Sequence, residues 1–266
     1  ISIFKPPFNF GKINFMKKAF YLLILLLSAI FVKWGIALAE PNFNYSLYTP
    51  QSYKETTQMG KFKEGGKILF IVDFSNSMNE ELGGRKKIDI AMDTLSSILP
   101  KINPNVQTGL RVYGHRAGFT YLQGCMASKL MVPLATNNAQ NILASIYRTE
   151  ATGWTPITYS LKQAVNSDFA GVSGKKHIIL LTDGGENCDE SPCTYAIELM
   201  KQRDDISIDV IAFDLYDIEA NNQLRCTALA TRGKFYSAGN SGELQNSLFD
   251  SLGIDKNVHG TIKMNN

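Results

Sequence analysis

The 266-residue sequence predicts an α/β domain: a doubly wound, mostly parallel sheet with helices on both faces and an antiparallel hairpin at one edge. Two observations predict it. Apolar runs of strand length recur from Lys67 onward, several of them continuous rather than alternating, which marks strands covered on both faces. Segments of helical period lie between those runs, so that successive strands run parallel through right-handed crossovers.

The elements follow in order. Ile68 to Val72 forms the first strand. Ile88, Ala91, Met92, Leu95, Ile98 and Leu99 share one helix face, with Asp89 and Asp93 on the solvated side. Leu110 to Tyr113 and Leu130 to Leu134 are the next strands; the connection between them lacks a helical pattern, which predicts the antiparallel edge hairpin. Ile142 and Ile146, then after a loop Ile157, Leu161, Ala164 and Val165, give helical faces. Strands at Ile178 to Leu181 and Ile208 to Phe213 alternate with helices at Tyr195 to Met200, Gln223 to Ala230 and Leu244 to Leu252. The unit spans 67–252, a length that buries a substantial core, and 253–266 is a tail.

The chain before Lys67 divides by composition. Met16-Lys17-Lys18, the apolar run Ala19 to Val32 broken only by Ser28, and Ala37-Leu38-Ala39 before Glu40 follow the order of a secretory signal peptide over 16–39. An uncleaved membrane anchor is the alternative. Residues 1–15 read as an upstream extension and 40–66 as a spacer. The formal charge of +3 arises in the leader: residues 1–39 contain five lysines and no acid, leaving 22 basic against 24 acidic residues beyond. That balance excludes an electrostatic nucleic-acid footprint. Export, periplasmic or extracellular, is the expectation.

Four cysteines, Cys125, Cys188, Cys193 and Cys226, all follow the leader, an even number in a compartment that permits disulfides. Two bridges are expected; of three connectivities, the short separation favours Cys188 with Cys193. A zinc site is the alternative, but paired C-x-x-C spacing is missing and there are only three histidines, His115, His177 and His259.

The chemistry gathers at strand ends, where open α/β sheets bind ligands. Asp73-Phe74-Ser75-Asn76-Ser77 places a carboxylate and two hydroxyls at alternate positions directly after the first strand, able to converge on a hard cation such as Mg2+. Gly153-Trp154-Thr155-Pro156-Ile157 offers Thr155 before a helix start. Thr182-Asp183-Gly184-Gly185-Glu186 delivers Asp183 at the end of another strand. A helix cap is the bland reading of Ser75 and Ser77. Glu186 reads as a solvated loop carboxylate, with ligand contact the alternative. Trp154 reads either as a loop-packing aromatic or as recognition surface, and His115 with Arg116 as hydrogen-bonding structure near the hairpin turn.

These three motifs, in this order, resemble the von Willebrand factor type A domain family, whose Rossmann-like fold carries a metal-ion-dependent adhesion site built from Asp-x-Ser-x-Ser, a Thr and a later Asp. Arg111-Val112-Tyr113-Gly114-His115-Arg116 and Gly233-Lys234-Phe235-Tyr236 resemble secreted bacterial members. The resemblance implies a binding domain, not a catalyst. It implies Mg2+ or Mn2+ held directly by Ser75 and Ser77, directly or through water by Thr155, and through water by Asp73 and Asp183, with a protein partner's carboxylate completing the octahedron. An enzymatic rival, a phosphatase of the haloacid dehalogenase type, needs a second Asp where Ser75 stands, and a hydroxyl is no substitute for that general acid. The third reading is a metal-independent assembly component docking through Asn42 to Tyr53, with Tyr45, Tyr48 and Tyr53.

Overall fold

The computed structural model describes residues 66–254. The predicted extension, signal segment, most of the spacer and most of the tail lie outside the described residues. Among the described residues, no helix is long and apolar enough to cross a membrane.

In chain order the elements are β1 (Lys67–Asp73), β2 (Glu81–Leu82), β3 (Arg85–Lys86), α1 (Lys87–Ile98), β4 (Gln107–Tyr113), α2 (Tyr121–Cys125), β5 (Ser128–Ala135), α3 (Ala139–Ile146) and α4 (Ile157–Gln163). They continue with β6 (Lys176–Thr182), α5 (Pro192–Gln202), β7 (Ile206–Phe213), α6 (Ile218–Ala230), β8 (Phe235–Ala238) and α7 (Ser241–Leu252). Six strands form one sheet in the order β5-β4-β1-β6-β7-β8. β4 and β5 pair antiparallel, and the other neighbours pair parallel. The predicted doubly wound sheet with its antiparallel edge is thus the observed fold.

Side-chain alternation explains why the central strands read as unbroken apolar runs. Ile68, Phe70 and Val72 of β1 face a core shared with α1, α3 and α7, through Ile88, Leu95, Ile142, Leu244 and Leu248. Leu69 and Ile71 point the other way, into a core shared with α4, α5 and α6, through Leu161, Leu199 and Leu224. Both faces of β1 are covered, so every position from Ile68 to Val72 is apolar and buried.

Helix starts obey local chemistry. Ser191, Asp217 and Asn240 cap α5, α6 and α7 by accepting the amides of Thr194, Ala220 and Glu243. α7 ends on Gly253 in the left-handed region, φ 62°.

The structure departs from expectation in four places. The β4–β5 connection contains a helical turn, α2, too short to show periodicity. The edge strand β8 has four residues, half-buried at Phe235 and Tyr236, and falls below the length at which a strand pattern shows. It is seated by Asp209 of β7, whose Oδ1 accepts the amide of Lys234 at 2.8 Å. The two-residue ribbon β2–β3 likewise carries no apolar signal.

The fourth departure is the disulfide connectivity. Cys125 pairs with Cys188 and Cys193 with Cys226, at Cα separations of 5.5 and 5.3 Å, in place of the expected Cys188–Cys193 bridge. A short loop favours closure in an unfolded chain, but the fold overrides it. Cys193 lies in the first turn of α5, turned inward and buried against α6, where Cys226 sits. Cys188 precedes the Ser191 cap and meets the end of α2. The Cys193–Cys226 bridge closes a 33-residue separation. Replacing both by Ala is expected to lower the unfolding free energy by about 2–4 kcal/mol, read from urea midpoints; an unchanged midpoint would contradict this pairing.

Candidate functional site

The parallel strands β1 and β6 end side by side, and the loops that leave them meet at the carboxyl edge of the sheet. The Ser75 loop is zipped onto its neighbours by backbone bonds. Phe74 donates its amide to Tyr113 O at 2.9 Å, Asn76 to Gly153 O at 2.9 Å, and Thr152 to Phe74 O at 3.0 Å. Two glycines permit this approach. A Cβ on Gly114, at φ +69°, would stand 2.5 Å from Ser75 N; one on Gly153 would stand 2.3 Å from Arg116 O.

Asp73 is fully buried. Its Oδ1 accepts the Ser75 amide at 2.6 Å; its Oδ2 accepts Tyr113 Oη–H at 3.0 Å and Thr182 Oγ1–H at 2.7 Å. All three donors are neutral. Burial, and after it the charge of Asp183, push the Asp73 carboxyl up to about 7, against the pull of those hydrogen bonds.

Asp183 joins the same cluster from the end of β6. Ser77 Oγ donates to Asp183 Oδ1 at 2.7 Å and lies 3.0 Å from Ser75 Oγ. The other oxygen of Asp183 accepts from Lys87 Nζ at 3.2 Å. Burial pushes the Asp183 carboxyl up, offset by Ser77 and by the Lys87 charge. Lys87, the first residue of α1, is almost wholly buried and also reaches Glu80 Oε2 at 2.9 Å and Asp214 Oδ2 at 3.3 Å. Burial alone would depress its ammonium; Glu80 and Asp183 more than reverse that and hold it charged.

Of the five predicted ligands, Asp73, Ser75, Ser77 and Asp183 thus form one hydrogen-bonded group. Thr155 is buried two residues beyond Gly153, on the loop zipped to Asn76, and its amide donates to Asn187 Oδ1 at 2.7 Å. Among the described residues, no hydrogen bond joins its side chain to the other four.

The donor chemistry fits a hard divalent cation. The set holds only carboxylate and hydroxyl oxygens, and no group of three His, Cys, Asp or Glu among the described residues offers a competing site. Adjacent ligands of an octahedral Mg2+ stand about 3.0 Å apart, which is the Ser75–Ser77 hydroxyl separation. Asp73, ionisable and buried without a cationic partner among the described residues, is the kind of group that such an ion would compensate.

Two neighbouring expectations need correction. Glu186 is not a solvated carboxylate: Oε2 accepts the Thr158 amide at 2.7 Å and Oε1 the Cys188 amide at 3.0 Å, so it braces the start of α4 against the β6 loop. Both oxygens are occupied by structure. His115 is half-buried and, among the described residues, its Nδ1 has no hydrogen-bond partner, contrary to the expected bonding role; burial, then Arg116 and Lys129, pull its imidazole down. Of the two readings of Trp154, the structure shows the loop packing. Its ring packs over Gly124 and edge-on to Tyr121, centroids 5.3 Å apart, yet it remains 39% exposed.

Around Trp154 lies a shelf of exposed apolar side chains, Phe119, Tyr121, Leu122 and Met126. Tyr121 Oη donates to Asp189 Oδ2 at 2.7 Å, and the Cys125–Cys188 bridge ties the shelf to the loop that carries Asp183. Sequence reasoning missed this shelf, and it missed Lys87, Glu80, Asp214 and Asn187. Thr182 carried a usable signal: a polar residue directly before Asp183, at the end of a strand otherwise apolar since Ile178.

Known proteins are similar to this chain to differing degrees. A profile described as the von Willebrand factor type A domain matches residues 67–250. The chain is 30% identical over 198 residues to YwmC of Bacillus subtilis strain 168, covering 73% of this chain and 86% of that protein. It superposes on BatB from Bacteroides thetaiotaomicron with a TM-score of 0.55 at 16% identity, covering 71% of this chain and 98% of the other. Proximal thread matrix protein 1 of the mussel byssus, solved with a zinc-occupied MIDAS motif, gives a TM-score of 0.54 at 20% identity, covering 71% of this chain and 45% of that one. At those identities the structural likeness speaks for the fold. The match over most of the chain, on a sheet of this topology, places the family beyond the resemblance of motifs: the chain belongs to the von Willebrand factor type A domain family.

Proposed function

We propose that this domain is an exported, non-catalytic binding module that engages a protein partner through Mg2+ or Mn2+ held by Ser75 and Ser77, with Thr155, Asp73 and Asp183 around them. The observation that carries the proposal is the Ser75–Ser77–Asp183 chain of short contacts, 3.0 and 2.7 Å, at the mouth of the sheet. Two hydroxyls bring no charge to the ion they bind, and the carboxylates stand behind them. When bound, the cation supplies unneutralised positive charge to an incoming acidic side chain.

The chain's own residues prepare that arrangement. Tyr113 and Thr182 fix Asp73, Lys87 fixes Asp183, and the Gly153 carbonyl fixes the Ser75 loop. The oxygen-only donor set favours Mg2+ or Mn2+ over zinc. Asp73 supports the non-catalytic reading, because both its oxygens are engaged and the residue is fully buried, out of reach of a phosphoryl substrate. The leader over 16–39 and the two disulfides support export.

A specific observation favours a second reading. Phe119 is 102% exposed and Leu122 66%, a shelf suited to metal-independent docking of an assembly partner. The two readings diverge in a pull-down from the native envelope fraction. Capture that survives EDTA and is lost in Phe119→Ser with Leu122→Ser would favour the shelf; the metal reading expects capture to disappear with EDTA.

For the metal itself, calorimetric titration with MgCl2 or MnCl2 is expected to show one site, weakened about tenfold or more by Ser75→Ala. Wild-type-like binding in that variant would dismiss Ser75 as a ligand. A pH dependence follows from Asp73. Its folded pKa, near 7, lies above the ordinary 3.8, so the metal-free fold holds the extra proton and loses stability as pH rises through that window. The cation binds the ionised form and recovers the loss. The rise in Tm on adding Mg2+ should therefore grow between about pH 5 and 8 in wild type and be flat in Asp73→Asn.

A further inference from the structure

Lys87 occupies a position that the binding reading leaves unexplained. A buried ammonium beside a cation site opposes the cation, yet this one sits within 3.3 Å of three carboxylates, one of them the candidate ligand Asp183. Asp183 is divided between two roles: Oδ1 faces the Ser77 hydroxyl, and Oδ2 is held by Lys87. Glu80, by contrast, extends to solvent with its side chain 67% exposed, and Asp214 stands at the end of β7 with its side chain 10% exposed.

We infer that Lys87 is a built-in counter-cation that withholds part of the Asp183 charge from the bound metal, lowering the affinity for metal alone and raising the demand for a partner's carboxylate. The inference rests on the metal reading of the site. Its physical basis is the placement of charge. An ammonium on the far oxygen of Asp183 neutralises that carboxylate in place and repels a divalent ion a few ångströms further on. Metal bound under those conditions keeps more uncompensated charge. An acidic ligand from outside then contributes more than it would to a site already neutralised from within. Lys87 is thus a positioning residue that acts through Asp183 and tunes the site toward ternary rather than binary binding.

The test uses the disulfide-bonded full chain, Mn2+ as the metal probe and acetate as the carboxylate probe, in calorimetric titrations. Lys87→Met keeps the length of the side chain and removes the charge. It is expected to tighten Mn2+ binding roughly tenfold or more and to shrink the gain in Mn2+ affinity that added acetate produces in wild type. Lys87→Arg, retaining the charge, should behave as wild type. A folded Lys87→Met protein, judged by near-UV circular dichroism, that binds Mn2+ no more tightly than wild type overturns the inference. Should that variant fail to fold, Glu80→Gln decides. Losing the exposed competitor turns the ammonium more fully onto Asp183, so Mn2+ binding weakens severalfold; unchanged or tighter binding overturns the proposal. Wild type that binds neither Mn2+ nor Mg2+ removes the metal reading and Lys87's role together, whereas wild-type binding with a flat response to these variants removes the role of Lys87 alone.

Discussion

Asp73 ends the central strand with a carboxylate shut away from solvent, held by three neutral donors from three segments: its own loop through the Ser75 amide, β4 through Tyr113 and β6 through Thr182. The rest of the site depends on that constraint. A buried carboxylate needs its lone pairs satisfied, and satisfying them draws β4 and β6 up to β1 at the edge where the loops emerge. The Asp73 bond to the Ser75 amide shapes the turn, and the turn sets the Ser75 and Ser77 hydroxyls side by side. Gly114 and Gly153 leave room for the backbone of the neighbouring loops to close over it.

Charge is distributed unevenly across this edge. Asp73 has only neutral donors, while Asp183 shares the ammonium of Lys87 with Glu80 and Asp214. Among the described residues, one carboxylate therefore has no charged partner and the other is already partly compensated. In a family defined by its fold, such details of charge give a member its binding properties.

The rim is shaped by covalent and aromatic contacts rather than by the sheet. The Cys125–Cys188 bridge fastens the turn bearing Tyr121 and Leu122 to the loop after β6, and Trp154 fills the space between. Glu186 adds a third fastening by accepting amides from α4 and from Cys188. Exposed apolar side chains of that turn are thereby held on a cross-linked, packed segment.

Periodicity in the sequence determined the fold class, because strands buried on both faces must be apolar at every position and helices on one face must repeat every three to four residues. Motif spacing after a strand end likewise grouped Asp73, Ser75 and Ser77, but by a different geometry from the extended backbone expected: the chain turns into a 3-10 helix at Asn76–Asn79, which brings the Ser77 hydroxyl beside that of Ser75. Short elements escaped: α2 and β8 are stabilised by what they pack on, so four or five residues carry no period of their own. Disulfide pairing escaped as well, since Cys193 faces α6 only once α5 has its phase. Arg85, Lys86 and Lys87 show the limit most plainly. Three adjacent basic residues look equivalent in the sequence, yet Arg85 and Lys86 are exposed while Lys87 is buried among carboxylates from the ends of β6 and β7 and the loop before β2. Local pattern decides which elements form; which of their polar side chains turns inward is decided by partners distant in sequence, and those exist only in the folded chain.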